Sequence, residues 1–118
     1  LEMRLAVASI AVLSVASSGL AYLVTAPRTG DTWRCGDWQT ISWDFVITDP
    51  TEFSIEITDQ ATTVMAAHRI SRDSRSARVR VPLIPTSDVY RVNFVKDQQD
   101  KTILAQSGQF KVWCPYWK

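Results

Sequence analysis

Histidine is almost missing from this 118-residue chain: His68 stands alone. A histidine-rich metal centre is therefore excluded. Glycine is scarce too, with four residues in all, and no glycine-rich phosphate loop occurs. Beyond residue 21 no apolar run is long enough to span about 30 Å of hydrocarbon. The C-terminal residues carry no apolar tail of the kind that signals a lipid anchor. No internal repeat, low-complexity tract or stretch of 3.6-residue periodicity follows the first twenty-one residues. No cofactor or metal is implied.

What is present begins with a leader. Met3 and Arg4 precede an apolar run, Leu5 to Val15, and small residues lead to Ser18-Gly19-Leu20-Ala21. A charged start, a short apolar middle and small residues at the end are the layout of a secretory signal peptide. Residues 1–21 are read as cloning residues (Leu1-Glu2) plus that signal, and residues 22–118 as one domain. Cleavage after Ala21 makes Tyr22 the mature N-terminus, which also excludes a histidine brace there. The expectation is a secreted protein, extracellular or in the cell wall, with no membrane span after signal removal. If the leader is kept, its apolar run needs a partner, and burial between protomers of a homo-oligomer is expected. The two cysteines, Cys35 and Cys114, permit one intramolecular disulfide in such a chain. It would close a loop of about eighty residues, stabilising the fold by about 4 kcal/mol in the chain-entropy model.

Charge is unevenly spread. Residues 22–67 hold two arginines against seven acids, a balance of −5, whereas residues 68–118 hold ten Lys and Arg against four Asp, a balance of +6. The simpler reading is that oppositely charged strands pair across the fold; the alternative is a dipolar surface that helps protomers meet.

The mature chain alternates with period two, the mark of half-buried strands. Gln39–Val46 places Ile41, Trp43 and Phe45 on one face; Glu52–Thr58 does so with Phe53, Ile55 and Ile57. Ser76–Val81, Val89–Val95 (Tyr90, Val92 and Phe94 inward) and Gly108–Trp113 follow, and residues 62–70 are taken as a further strand. Turn signals such as Pro27-Arg-Thr-Gly30 and Pro82-Leu-Ile-Pro85 separate the runs. About seven short strands spaced near ten residues apart predict an all-β, antiparallel β-sandwich of the immunoglobulin or fibronectin-III type.

The opening Tyr22-Leu-Val-Thr-Ala-Pro-Arg-Thr-Gly-Asp-Thr-Trp33, then Cys35-Gly36 and Gln39-Thr-Ile-Ser-Trp43, resembles the N-terminal domain of fungal Kre/Knh cell-wall proteins, also found in Ser/Thr-rich GPI-anchored membrane proteins. Pro27, Gly30, Trp33, Gly36, Ile41 and Trp43 match that opening, and Tyr90 and Ser107-Gly108-Gln109-Phe110 match its closing strands. The resemblance implies an extracellular fungal β-sandwich connected with the wall, often with β-1,6-glucan assembly, and no accepted catalytic residue. The commoner members continue into a Ser/Thr-rich tail, whereas this sequence stops at Lys118. A free, small secreted protein is the expectation.

Catalytic chemistry has little to stand on. His68, Ser71 and Asp73 lie too close along an extended segment to face one another as a triad. Asp44, Glu52, Glu56 and Asp59 are read as a solvated face rather than a glycosidase pair. Two constellations remain. A Cys35–Cys114 bond would draw Trp33, Trp38, Trp113, Tyr116 and Trp117 toward one end of the sandwich. Trp33, Trp43 and Trp113 are expected to be buried; Trp38, Tyr116 and Trp117 stand open between end-plug and a platform for a glycan or partner. The second is basic: Arg69, Arg72, Arg75, Arg78 and Arg80. It reads as a charged strand face that blocks edge pairing, with binding of an acidic ligand as the alternative and nucleic acid disfavoured.

Three classes of function follow. The first is a non-enzymatic wall module whose partner is a cell-wall polysaccharide. The second is a secreted immunomodulatory protein acting on a cell-surface protein of another organism. The third is a carbohydrate-active enzyme.

Overall fold

A computed structural model describes residues 22–116. The expected leader, with its self-association, and Trp117 lie outside the described residues. Nine strands run in chain order: β1 (Leu23–Ala26), β2 (Thr32–Arg34), β3 (Trp38–Asp44), β4 (Glu52–Thr58), β5 (Thr63–Ser71), β6 (Ser76–Arg80), β7 (Ser87–Val95), β8 (Ile103–Gln106) and β9 (Phe110–Trp113). One 3-10 turn, Arg72–Ser74, joins β5 to β6. The strands form two sheets, β1-β3-β6 and β2-β9-β7-β4-β5, with β8 also paired to β7. This is the expected immunoglobulin-like sandwich, with two more strands than the expected seven. The additions come from segments too short to display alternation, such as β2 and β8.

The inward residues are those that the alternation marks. Ile41 and Trp43 of β3, Phe53, Ile55 and Ile57 of β4, and Tyr90, Val92 and Phe94 of β7 are all buried. Phe45 falls just past β3 and is half-buried. Four rings form the centre of the core. Phe53 and Phe94 stack at 4.2 Å between centroids, and Trp43 meets them edge-on at 5.1 and 5.4 Å. Tyr22 closes the group, 5.1 Å from Phe53. Edge-to-face packing suits the ring quadrupoles and adds to the free energy of apolar burial.

Two local devices shape the sheets. Residues 63–71 are a strand, as expected, but their pairing with β4 shifts register twice, between Phe53 and Ile55 and between Ile55 and Glu56. Such bulges on an outer strand bend it and discourage pairing with another chain. The Tyr90 hydroxyl donates to the Pro85 carbonyl at 2.6 Å, the tyrosine-corner arrangement of immunoglobulin-like sandwiches.

One contact departs from the antiparallel expectation. β2 runs parallel to β9, with Thr32, Trp33 and Arg34 opposite Lys111, Val112 and Trp113. The first and last parts of the described chain therefore lie side by side in the same direction, and the disulfide joins them just beyond.

Candidate functional site

The disulfide end is built from this parallel pair. Cys35 and Cys114 are bonded, as expected, with Cα atoms 5.0 Å apart, and both are buried. The Cys35 amide donates to the Trp113 carbonyl at 3.0 Å, and the Cys114 amide to Thr86 Oγ1 at 2.8 Å. Gly36 then turns the chain with φ of 88°, a conformation that costs a residue with a Cβ about 1 kcal/mol or more. The Gly36 amide reaches the Val81 carbonyl and the Val81 amide the Asp37 carbonyl, both at 2.8 Å. These bonds hold the start of β3 beside the end of β6.

The rings at this end divide between the two sides of their strands. Trp33 is buried, 4.7 Å from Phe110, and Trp43 is buried in the central cluster, both as expected. Trp113 corrects the expectation of burial: it is 45% exposed. Phe110 and Val112 of β9 point inward, so Lys111 and Trp113 point outward. Trp38 and Tyr116 are exposed at 55% and 66%, which resolves their open placement. Trp38 leads β3 and lies an odd number of residues before the inward Trp43, on the opposite face.

Each exposed ring lies against a guanidinium. Arg34 Cζ sits 5.4 Å from the Trp113 ring centroid and 5.8 Å from that of Tyr116, and its Nη2 donates to the Tyr116 hydroxyl at 3.1 Å. Arg78 Cζ sits 5.4 Å from the Trp38 ring. Sequence reasoning missed Arg34, whose position beside an alternating Trp on a three-residue strand gave no local signal. Arg34, Tyr116 and Arg80 line one groove together with Gly36, Asp37 and Leu83.

The arginine stripe does not exist as a unit. Arg72 is buried at 6% exposure, a correction to its place in a surface patch. Its Nη1 donates to the carbonyls of Ile47 at 2.8 Å and Asp49 at 2.9 Å, and its Nε to Asp73 Oδ1 at 3.1 Å. Arg72 fastens the 45–50 loop to the 3-10 turn, because carbonyls that the loop leaves unpaired need a donor. Arg75 lies over the Phe45 ring and 3.9 Å from Asp44. Arg69 is exposed on the bulged part of β5 with φ of 51°. Only Arg78 and Arg80 share a face, the outer face of β6, and there they meet Trp38: Trp38 is opposite Arg80 in register.

The carboxylates also divide. Asp44 and Glu52 are exposed as expected. Glu56 is not part of a solvated face: it is buried, accepts from Asn93 Nδ2 at 3.3 Å and is 3.1 Å from Lys101 Nζ. β4 is an inner strand, so its outward side is overlain by side chains from β7 and the β7–β8 turn. Asp59 is half-buried and caps the Ala61 and Thr62 amides at 3.0 and 2.7 Å. His68 is exposed.

The residues that carried the family resemblance are scaffold. Trp33, Ile41, Trp43, Tyr90 and Phe110 are buried. Ser107 Oγ accepts from the Val92 amide at 2.9 Å, and the Ser107 amide donates to the Val92 carbonyl at 2.8 Å. Gly108 has no room for a side chain, since a Cβ there would collide with Thr29 Oγ1. The exposed rings Trp38, Trp113 and Tyr116 lie outside that pattern.

A family description, the Kre9/KNH-like N-terminal Ig-like domain, matches residues 26–112. The chain is also 26% identical over 106 residues to "Uncharacterized protein C553.10" of Schizosaccharomyces pombe. That match takes in 87% of this chain and 30% of the yeast protein, so the chain spans less than a third of its relative's length. No solved structure matches. The matched region runs from the end of β1 to Val112 of β9 and so takes in both sheets and the core between them. This chain therefore belongs to the Kre9/KNH-like N-terminal Ig-like domain family, which is associated with fungal cell-wall β-glucan synthesis.

Proposed function

We propose that this chain is a secreted, non-enzymatic module of the fungal wall that binds wall polysaccharide, β-glucan first, through its disulfide end. The observation that carries the reading is the set of three exposed rings, Trp38, Trp113 and Tyr116, grouped around a rigid, cross-linked turn. Flat rings stack on the C–H faces of sugars and lose little conformational entropy on binding. Family membership supports the choice of a wall polymer. The disulfide is compatible with an oxidising, extracellular setting. The exposed, isolated His68 and the already-bonded Glu56 are poor starting points for catalysis, which supports a binding role.

The test is co-sedimentation of the protein with insoluble β-glucan and chitin. Retention on β-glucan is expected, and Trp38→Ala with Tyr116→Ala should weaken it about tenfold without unfolding the protein, since stacking groups of this kind each contribute about 0.5–1.5 kcal/mol. A wild-type protein that stays in the supernatant with every wall polymer would sink the reading.

A further inference from the structure

The arginines at the disulfide end narrow the ligand, in an inference that rests on the polysaccharide-binding reading. Arg34, Arg78 and Arg80 are all exposed. None of them forms an ion pair with another described residue, unlike Arg72, Arg75, Lys96 and Lys101. The groove lined by Arg34, Arg80 and Tyr116 has one carboxylate in its lining, Asp37. Two cations against one anion line this groove, and Arg78, two positions from Arg80 on the same face of β6, adds a third cation beside it.

The guanidiniums are also held in place. Arg34 lies against the Trp113 ring and donates to the Tyr116 hydroxyl, Arg78 lies against the Trp38 ring, and Arg80 is fixed by donation from Nε to the Gly36 carbonyl at 3.0 Å. A guanidinium held against a ring keeps N–H donors around the rim of its plane, in the fork that matches a carboxylate or phosphate. Arg34 and Arg80 therefore present anion-binding donors in the groove that Tyr116 also lines, and the Trp38–Arg78 pair lies next to Arg80 on β3 and β6. A neutral glucan would use the rings and offer the three cations only hydroxyl oxygens. A glycan that also carries anions would use both.

We infer that the disulfide end prefers an acidic polysaccharide, a chain whose sugars carry carboxylate or phosphodiester groups, over a neutral glucan. The rings hold the sugar faces; Arg34, Arg78 and Arg80 take the anionic groups. The preference is electrostatic in origin and so is screened by salt.

Affinity is measured for the purified disulfide-bonded protein with four soluble probes: laminarin (neutral), polygalacturonate (carboxylate), phosphomannan (phosphodiester) and polyglutamate (acidic, without sugar). At least one acidic glycan is expected to bind about tenfold more tightly than laminarin at low ionic strength. The advantage should vanish near 1 M salt, where the Debye length is about 3 Å. Whichever acidic glycan leads identifies the anionic group. The double substitution Arg34→Gln and Arg78→Gln should bring the ratio of acidic-glycan to laminarin affinity to about one, a ratio in which any weakening of ring support common to both probes cancels. Arg34→Lys with Arg78→Lys should restore part of the advantage, because an ammonium keeps the charge without the fork. Equal affinity for laminarin and both acidic glycans overturns the inference while leaving glucan binding intact. Polyglutamate binding as tightly as the acidic glycans also overturns it, in favour of an acidic protein partner. Binding of an acidic glycan without any of laminarin or insoluble glucan would refute β-glucan as the ligand and support the acidic preference.

Discussion

Two groups of aromatic rings sit toward opposite ends of β3 and meet opposite environments. Toward one end Trp43 packs edge-on against Phe53 and Phe94, and its Nε1 donates to the Arg72 carbonyl at 2.9 Å. Tyr22 beside it donates to the Pro50 carbonyl. Every ring in that group is buried and every polar ring atom is bonded. At the other end Trp38 is exposed beneath Arg78, and Trp113 and Tyr116 flank Arg34. The same residue types serve as core in one place and as surface in the other. For the strand residues Trp38, Trp43 and Trp113, what separates them is the parity of the strand position, and with it the partner each ring finds: another ring or a carbonyl inside, a guanidinium outside. The arginines repeat the contrast. Arg72, bonded to two loop carbonyls and to Asp73, is a fastening for the 45–50 loop; Arg34, Arg78 and Arg80 are exposed.

The contrast is broken most severely in the core. Trp43→Ala should destabilise the fold by about 3–5 kcal/mol through the cavity and the unpaired Arg72 carbonyl. Trp113→Ala should stay within about 0.5 kcal/mol, as expected for an exposed position. Urea titrations of both variants give the comparison directly, and equal midpoints would mean that the two ends are not different in kind.

Next in size is the staple. Cys35→Ser with Cys114→Ser, a bond spanning 79 residues, should lower stability by about 4 kcal/mol. The loss should spread the exposed rings more than it disturbs the buried ones, because the bond fastens β2 to the end of β9. Differential scanning calorimetry reports the stability, and tryptophan fluorescence at subdenaturing urea reports which rings move first.

Arg72→Met should cost about 2–3 kcal/mol by leaving the Ile47 and Asp49 carbonyls without their donor. Arg78→Gln should be nearly silent, within about 0.5 kcal/mol. If both are silent in chemical denaturation, the buried guanidinium is not what fastens the loop.

The smallest effect at neutral pH sharpens the comparison through the tyrosines. Burial, with a further push from Asp49, raises the Tyr22 hydroxyl to about 12; burial, assisted by Asp59, raises that of Tyr90 to about 12. In the unfolded chain these hydroxyls ionise near 10. The unfolded state therefore releases its protons first, and the stability these groups contribute is complete below pH 10 and is lost as pH rises toward 12. Ultraviolet titration should find two late-ionising tyrosines. Both titrating near 10 with the fold intact would refute the burial argument.

Much of the architecture was legible in the residues. Alternation marked the inward faces of β3, β4 and β7, and the two cysteines admitted one pairing. The same rule places Trp113 outward with Lys111, so its exposure was legible too, although a tryptophan beside a cysteine invites a core assignment. Arg72 was not legible: it sits within a run of evenly spaced arginines, and only the 45–50 loop, folded back from more than twenty residues away, supplies its carbonyl partners. Glu56 was hidden for a similar reason. Its buried state depends on Lys101, forty-five positions later.

By itself, then, the sequence determined that β3, β4 and β7 are strands and which side of each faces inward, because alternation is a property of neighbouring residues and needs no knowledge of the rest of the chain. The tertiary structure alone decided that β2 lies parallel to β9, that one arginine of five is fastened inside, and that Arg34 meets Trp113 and a Tyr116 found 82 positions away. Those outcomes depend on which strands become neighbours after distant parts of the chain come together. Local pattern carries no record of that choice; it is settled by how the two sheets bury their common core.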